Sequence, residues 1–207
     1  MNNANLYSSP YKGSASLTRA QFLFYEMRTV AQLLVSGMTD TEIKKQVVSD
    51  NLFQYPTEKS LEQMVQVCLH RLHGLEDESL VAAIAQKDSV TAKQICLYAM
   101  MKEYRLVWDF MITVIGTKYM QQDTTYNRSD INMFLLRLQE QDDYVASWSD
   151  STCKKIGSVL SRILIENEYI DDSKSKTLNP VLISRILEDA IRSSGDTKAL
   201  TAFNCLA

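Results

Sequence analysis

The chain has 207 residues and a net charge of −3, with 45% hydrophobic and 23% charged residues. A chain of this size buries roughly 70% of its extended surface, so we expect one large domain or two small ones. Six Gly and three Pro residues disfavour a β-sandwich, a Gly-rich phosphate loop and a long linker. The acidic balance excludes a general attraction to nucleic acid or to an anionic membrane, so any such binding has to be local.

Two further features bear on the compartment. The four cysteines are widely spaced without a CxxC pair, and "MNNANLYSSPYKG" does not resemble a signal peptide, so we expect reduced thiols and a cytoplasmic protein. The most apolar stretch, "LVWDFMITVIG" at 106–116, contains Asp109 and is far shorter than the about 20 residues that a membrane helix needs. We therefore expect no membrane span.

Helical periodicity dominates the first part of the chain. "SLTRAQFLFYEMRTVAQLLVSG" repeats apolar residues at helical spacing, and Gly37 is a typical stop. "TDTEIKKQVVSDN" opens with Thr39 and Glu42 in capping-box spacing, and "YPTEKSLEQMVQVCLHRLHG" forms a third helix that ends at Gly74. We predict an N-terminal helical bundle over 1–76 with a helix-turn-helix-like layout.

Helices continue through a predicted second bundle over 77–207. "RLVWDFMITVIGTKYM" is apolar on most sides, which indicates a central, buried helix. Asn179 and Pro180 form a typical cap and first residue of a final helix, which ends at Gly195. The fold class predicted from the pattern is therefore all-α.

One part of this second bundle has the order of a winged helix-turn-helix. "SDINMFLLRLQEQ" and a second amphipathic helix at 151–168 are joined by a short connection. Apolar pairs then flank the polar "DDSKSK", which fits a short β-hairpin near 169–178. We predict a winged-helix-like segment over about 129–178.

No constellation of residues indicates catalysis. In "CLHRLH", His70 and His73 share a helix face, but Cys68 belongs to the apolar stripe, so we predict no metal site. The paired carboxylates "DD" at 142–143 and 171–172 lie in polar loops rather than in unequal, buried environments. Nucleophile-elbow, phosphate-loop and zinc-protease motifs are missing. We therefore predict no catalytic residue, no cofactor and no small-molecule substrate.

The helix at 151–168 has an unusual charge order. Its first turns carry Lys154 and Lys155, and Glu166 lies near its end, whereas a helix N-terminus favours acidic residues. Its solvent side is basic and hydroxylic, with Ser158 and Ser161 between the cations. Such a face fits an anionic partner such as a phosphate backbone, and the alternative is an ordinary solvated helix face.

The predicted double-stranded-DNA contacts follow from this face and from the tip of the hairpin. They are Ser151, Lys154, Lys155, Ser158, Arg162, Lys174 and Lys176. A second predicted patch consists of Lys44, Lys45 and Lys59. A protein-interaction module is the alternative from another class, with Phe22 and Tyr25 predicted to be exposed on the first helix and Ile165 on the basic face.

Four stretches carry a family resemblance. They are "FLFYEMRTVAQLL", "DNLFQYPTEKSLEQMVQVCLHRL", "TAKQICLYAMMKEYRLVWDFM" and "VASWSDSTCKKIGSVLSRILIENEYI". In this order they resemble the BrxA family of bacterial BREX (bacteriophage exclusion) defence systems. The resemblance implies an all-helical, NusB-like protein with nucleic-acid-binding character, and with it an RNA-binding alternative. It also implies a non-enzymatic accessory role beside other BREX proteins: a methyltransferase, an ATPase and a phosphatase-like component.

Overall fold

Helices make up most of the computed structural model, which describes residues 9–206. The first half contains α1 (Phe24–Val35), α2 (Asp40–Ser49), α3 (Glu58–His73), α4 (Glu78–Gln86) and α5 (Ser89–Glu103). The second half contains α6 (Arg105–Phe110), α7 (Thr117–Met120), α8 (Arg128–Gln141), α9 (Asp143–Ala146), α10 (Asp150–Glu166) and α11 (Arg185–Ser194). Stretches of 3₁₀-helix cover Ser14–Thr18 and Thr197–Phe203. The predicted all-α fold is confirmed.

Several helix ends lie where local sequence signals place them. The Thr39 side chain accepts the Glu42 backbone N–H, and the Glu42 carboxylate accepts the Thr39 N–H at 2.8 Å, which completes the predicted capping box of α2. Gly74 caps the C-terminus of α3. Gly195 ends α11 with a φ of 82°, a left-handed conformation that glycine adopts without strain.

The first helix begins later than the periodicity suggests. Leu23 has a φ of 56°, and α1 starts only at Phe24. The break turns Phe22 into the core, where it is 1% exposed, so the prediction that Phe22 is exposed was wrong. Tyr25 is 56% exposed, as predicted. Residues 9–23 therefore lie outside α1, and we call them the N-terminal strap. This segment contains the 3₁₀-helix Ser14–Thr18 and packs against the second half of the chain.

A buried arginine holds this strap in place. Arg71 of α3 is only 1% exposed, and its Nη2 donates to the Ala20 carbonyl oxygen at 2.6 Å. Its Nη1 donates to the carbonyl oxygen of Gln21 at 2.8 Å. The guanidinium also lies 5.4 Å from the centroid of the Tyr104 ring. Because a buried charge needs hydrogen-bond partners, Arg71 and the strap backbone stabilise each other.

The far end of the strap contacts the second half of the chain. Ser9 Oγ donates to Asp142 Oδ1 at 3.0 Å, and the Tyr11 hydroxyl donates to Asp109 Oδ2 at 2.9 Å. A single hydrophobic core cluster contains buried residues from both halves of the chain, from Leu17 to Phe203. The division into bundles at 1–76 and 77–207 stays a prediction, and the strap belongs by its contacts to both.

The predicted central helix contains a change of register. A π-helical stretch, Met111–Gly116, joins α6 to α7. Buried Phe110, Met111 and Ile115 lie on its core side. A Cβ atom at Gly116 would lie 2.6 Å from Thr201 Oγ1, so glycine permits the C-terminal 3₁₀-helix to pack directly on this stretch.

Tertiary contacts replace the hairpin predicted near 169–178. Thr177 instead forms an isolated antiparallel bridge with Thr125. This bridge is the β pairing that the structure shows within residues 9–206. Tyr126 N donates to the Lys176 carbonyl at 2.8 Å, and Leu178 N donates to the Thr124 carbonyl at 2.7 Å. Residues 176–178 therefore satisfy their hydrogen bonds with the segment before α8 rather than with 169–172.

The final helix starts later than Asn179 and Pro180 indicate. Residues 180–184 are not helical, and both ends of the buried Gln94 amide bind their backbone. Gln94 Nε2 donates to the Leu182 carbonyl at 2.9 Å, and Ser184 N donates to Gln94 Oε1 at 2.9 Å. The helix consequently begins at Arg185, after Ser184.

A loop carboxylate orients the segment that pairs with 176–178. Asp123 Oδ1 accepts from the Thr125 backbone N–H at 2.9 Å and from the Thr125 hydroxyl at 2.6 Å. Lys118 Nζ donates to Asp123 Oδ2 at 3.0 Å. The hydrogen bonds from Thr125, with a smaller contribution from Lys118, lower the pKa of Asp123 to about 2.

Replacing the buried arginine should destabilise the whole fold. Arg71→Met leaves the strap carbonyls without donors, and we expect the free energy of unfolding to fall by about 3 kcal/mol. Urea denaturation measures this change. The exposed Arg185, whose side chain is 93% accessible, provides the control, since Arg185→Met should change stability by less than about 0.5 kcal/mol. Equal stability of the two variants would contradict the role given to Arg71.

The pKa of Asp123 predicts a pH dependence of stability. Its folded pKa lies below the unfolded value of about 3.9, so its contribution is fully present above pH 4 and is lost as the pH falls toward 2. The stability difference between the wild type and Asp123→Asn should therefore shrink between pH 5 and pH 3 in urea titrations. Glu140→Gln, on an exposed part of α8, is the control. A difference that stays constant over this range would contradict the prediction.

Candidate nucleic-acid interface

The helix α10 presents the predicted amphipathic faces with one exception. Ser149 caps it, accepting the Thr152 backbone N–H at 3.2 Å. The apolar side is buried as expected. Lys154 and Lys155 are exposed, but Ser161, assigned to the solvent side, is only 5% exposed. The 3₁₀ turn of the strap packs against α10, and the Tyr126 hydroxyl lies near the side chain of that serine.

A groove of about 660 Å³ lies along the exposed side of α10. We call it the basic groove. Its floor is α10, one wall comes from the strap, and the start of α8 and the turn after α10 complete it. The lining residues are Thr18, Gln21, Arg128, Lys154, Lys155, Ser158, Val159, Ser161, Arg162, Ile165 and Ser173.

The charge of the basic groove is of one sign. Arg128, Lys154, Lys155 and Arg162 line it, and its lining contains no Asp or Glu. Of these four cations, Arg162 has a carboxylate within 4.0 Å in the described residues 9–206. This carboxylate is that of Glu166, whose oxygen lies 3.8 Å from Arg162 Nε. Arg162 Nη1 also donates to Gln21 Oε1 at 2.7 Å. Cationic groups therefore concentrate at one place in a protein whose net charge is −3.

Arg128 is a groove residue that sequence reasoning missed. Its Nη2 lies 3.5 Å from Ser158 Oγ, although the two residues are 30 positions apart. A Cβ atom on Gly157 would lie 3.3 Å from Arg128 Nη2 and 3.4 Å from Ile131 Cγ2. Glycine at 157 thus permits the close approach of α8 that brings Arg128 to the groove. One sequence signal was available: Asn127 caps α8, so Arg128 is, like Lys154, a cation in the first turns of a helix.

The other predicted residues of this region lie around the groove rather than in it. Ser151 is exposed at the start of α10, with its Oγ 2.9 Å from Ser149 Oγ. Lys174 and Lys176 are exposed on the turn that follows α10. Asp172 orders this turn by accepting the Lys174 backbone N–H at 2.6 Å. Ser173 is the residue of the turn that reaches the groove.

The second predicted patch is a separate surface. Lys44 and Lys45 line a shallow depression between α2 and α3, together with Val48 and Glu62. Lys59 is exposed near the start of α3 but is not part of the lining. The Glu62 carboxylate makes this depression less uniformly cationic than the basic groove.

The histidines and the nearby cysteine have local partners. His70 Nε2 lies 2.8 Å from Glu103, and His73 Nε2 lies 3.0 Å from Asp40. Cys68 is fully buried, and this burial raises the pKa of its thiol. In the part of the chain that the structure describes, no group of His, Cys, Asp and Glu residues has an arrangement suited to a metal ion.

Between residues 9 and 206, no helix combines the length and the apolarity that crossing a membrane requires.

The fold has a counterpart among solved structures. The crystal structure of an uncharacterized protein from Magnetospirillum magneticum superimposes with a TM-score of 0.77 and 23% sequence identity. The match covers 94% of this chain and 98% of that protein. At this identity the likeness shows a shared fold.

Sequence comparison extends this likeness to a named family. A protein called "BREX protein BrxA" from Bacillus cereus (strain H3081.97) is 35% identical over 175 residues, which is 84% of this chain and 87% of that protein. Another of the same name, from Paramagnetospirillum magneticum (strain ATCC 700264 / AMB-1), is 25% identical over 171 residues, covering 83% and 85%. A sequence model of BrxA matches residues 10–195. These matches confirm the resemblance of the four sequence stretches, and the chain belongs to the BrxA family of BREX defence systems.

Proposed function

We propose that this BREX accessory protein is non-catalytic and binds double-stranded DNA through the basic groove. The observation that carries the proposal is a groove lined by four cationic side chains, Arg128, Lys154, Lys155 and Arg162, without a carboxylate. A surface of this kind fits a phosphate backbone, because Lys and Arg side chains release counterions when they neutralise phosphates.

Helix orientation supports an anionic ligand at the same place. Arg128 is the first residue of α8, and Lys154 and Lys155 lie in the first turns of α10. Arg128 opposes the dipole of α8 at a cost of about 0.3–1 kcal/mol, whereas Lys154 and Lys155 are the fifth and sixth residues of α10, just past a first turn that contains Asp150. A bound phosphate reverses this cost, since it is attracted by both the side chains and the helix N-termini.

The chain order supports a winged-helix docking mode within this proposal. The 124–126 segment, α8, α10 and the turn at 171–175 follow one another, and 176–178 returns to pair with 124–126. In winged helices the second helix of the pair approaches the duplex while basic residues of the wing contact phosphates. We assign this wing role to Lys174 and Lys176, and a contact on a second segment of DNA to Lys44, Lys45 and Lys59. A NusB-like architecture is part of the same proposal.

The accessory role places this protein beside other components of a BREX system. We propose a cytoplasmic location and contacts with the methyltransferase, the ATPase or the phosphatase-like component, without a cofactor or a small-molecule substrate. Exposed apolar side chains support a docking function as the second candidate. They are Tyr25 on α1 and Met133 and Leu136 on α8. The RNA-binding candidate has only the implied NusB-like character in its favour.

Charge reversal on α10 should abolish most DNA binding. In the wild type, about four phosphate contacts predict that log affinity falls with log salt at a slope near −4. For Lys154→Glu plus Lys155→Glu we expect at least a tenfold loss of affinity and a slope near −2, in gel-shift titrations with duplex DNA at several salt concentrations. The variant should stay folded, because both side chains are exposed and exposed substitutions usually change stability by no more than about 0.5 kcal/mol.

A charge-matched control separates a local contact from net charge. Arg185→Glu plus Lys198→Glu changes the charge equally at exposed positions outside the groove and should leave binding nearly unchanged. Parallel titrations with single-stranded DNA and RNA distinguish the ligand classes. Equal losses for both double variants, a shallow salt slope or a preference for RNA would each refute the assignment.

A further inference from the structure

We infer that the basic groove binds the sugar–phosphate backbone of duplex DNA without reading its base sequence. This inference rests on the proposed function and specifies its ligand. It follows from the hydrogen-bonding state of the polar side chains in and beside the groove. Arg162, Gln21, Ser158 and Thr18 each have a polar side-chain atom bonded within the protein, and Arg128 lies against the groove wall.

Base recognition in the major groove typically uses Arg or Lys with guanine and Gln or Asn with adenine, and Arg, Gln and Asn present two hydrogen-bonding atoms in a fixed geometry. Arg162 is the arginine on the exposed side of α10, and its Nη1 is already bonded to Gln21 Oε1 at 2.7 Å. Its Nε faces Glu166 at 3.8 Å. The same contact occupies the acceptor oxygen of Gln21, so a bidentate contact of either side chain with a base would have to compete with this bond.

The hydroxyl groups are engaged in the same way. Ser158 Oγ donates to the Lys154 carbonyl of its own helix at 2.9 Å. Thr18 Oγ1 donates to the Ala15 carbonyl at 2.9 Å. At the start of α10, the Ser151 hydroxyl is hydrogen-bonded to that of Ser149 at 2.9 Å. These short side chains therefore permit a close approach of the ligand but have their hydrogens committed to the protein.

Arg128 keeps its guanidinium at the side of the groove. It lies against Gly157 and next to Ser158, where α8 meets α10, and is only partly exposed. From this wall the guanidinium can bind a phosphate of a DNA strand that lies along the groove. It is less well placed to bind the edge of a base that points toward the groove floor. Lys154 and Lys155 remain, and each ammonium is a point charge with rotating donors that can meet a phosphate or a guanine without a fixed geometry. The available chemistry is thus mainly electrostatic.

The walls also restrict how deeply α10 enters a DNA groove. A recognition helix reads bases when its exposed side fits into a major groove about 12 Å wide. Here Thr18 and Gln21 of the strap line one side of the groove, and Ser173 of the turn after α10 borders another side. We expect these segments to meet the DNA backbone before the floor of the groove reaches the base edges.

The test compares affinities among duplexes for the full chain. Three 20-base-pair duplexes of unrelated mixed sequence and equal GC content, and a randomised pool of the same length, are titrated at one salt concentration. We expect dissociation constants within about threefold of one another. Repeated selection from the pool should yield no sequence that binds more tightly than the starting pool by more than that factor.

Variants of the groove test the same point through the salt dependence. Arg128→Ala should weaken binding by the same factor on every duplex and reduce the salt slope by about 0.9, the value for one lost phosphate contact. Arg185→Ala is the matched control and should change neither quantity. Arg162→Ala provides a second variant, and its effect should likewise be independent of sequence.

Two possible results would contradict the inference in different ways. A duplex preferred by more than about tenfold, with the preference reduced by Arg128→Ala or Arg162→Ala, would overturn the inference of sequence-neutral binding and leave DNA binding standing. Failure of the wild type to bind any duplex would overturn the proposed function and this inference with it.

Discussion

A guanidinium in an apolar core has to find acceptors for its hydrogens, and Arg71 finds them in the backbone of the strap. This requirement determines the path of residues 20–22, which leave helical geometry so that their carbonyls turn toward α3. Gln21 thereby places its side chain beside Arg162 of α10. One wall of the basic groove therefore depends on a charge that is buried elsewhere in the molecule.

The opposite wall depends on a close approach of two helices. Gly157 presents no Cβ to α8, so Arg128 reaches Ser158 across the helix–helix contact. Arg128 of α8 and Lys154 and Lys155 of α10 then contribute to one surface. The cost of each misplaced charge is small on its own helix, but the summed positive potential at the groove is what attracts an anion. The same cations therefore cause the electrostatic cost on their own helices and the attraction to an anion on which the proposed function depends.

The predicted exposure of the α10 side chains was right for the cations and wrong for Ser161. The periodicity of α10 placed Lys154, Lys155 and Arg162 correctly on the outer side, because side-chain direction in a helix follows from residue spacing. Ser161 was misplaced, since helical spacing cannot reveal which flank of α10 other parts of the chain cover. Phe22 was misplaced for a related reason: its exposure depends on the break at Leu23, which long-range contacts with Arg71 impose.

Local sequence by itself determined most helix positions, the capping box at Thr39 and Glu42, the stop at Gly195 and the two faces of α10. These features rest on interactions between residues a few positions apart, which the order of the residues already specifies. Only the tertiary structure decided the pairing of 176–178 with the segment before α8, the non-helical path bound by Gln94 and the meeting of Arg128 with α10. Each of these depends on groups that are distant in sequence and that satisfy each other's hydrogen bonds or packing only after the chain has folded.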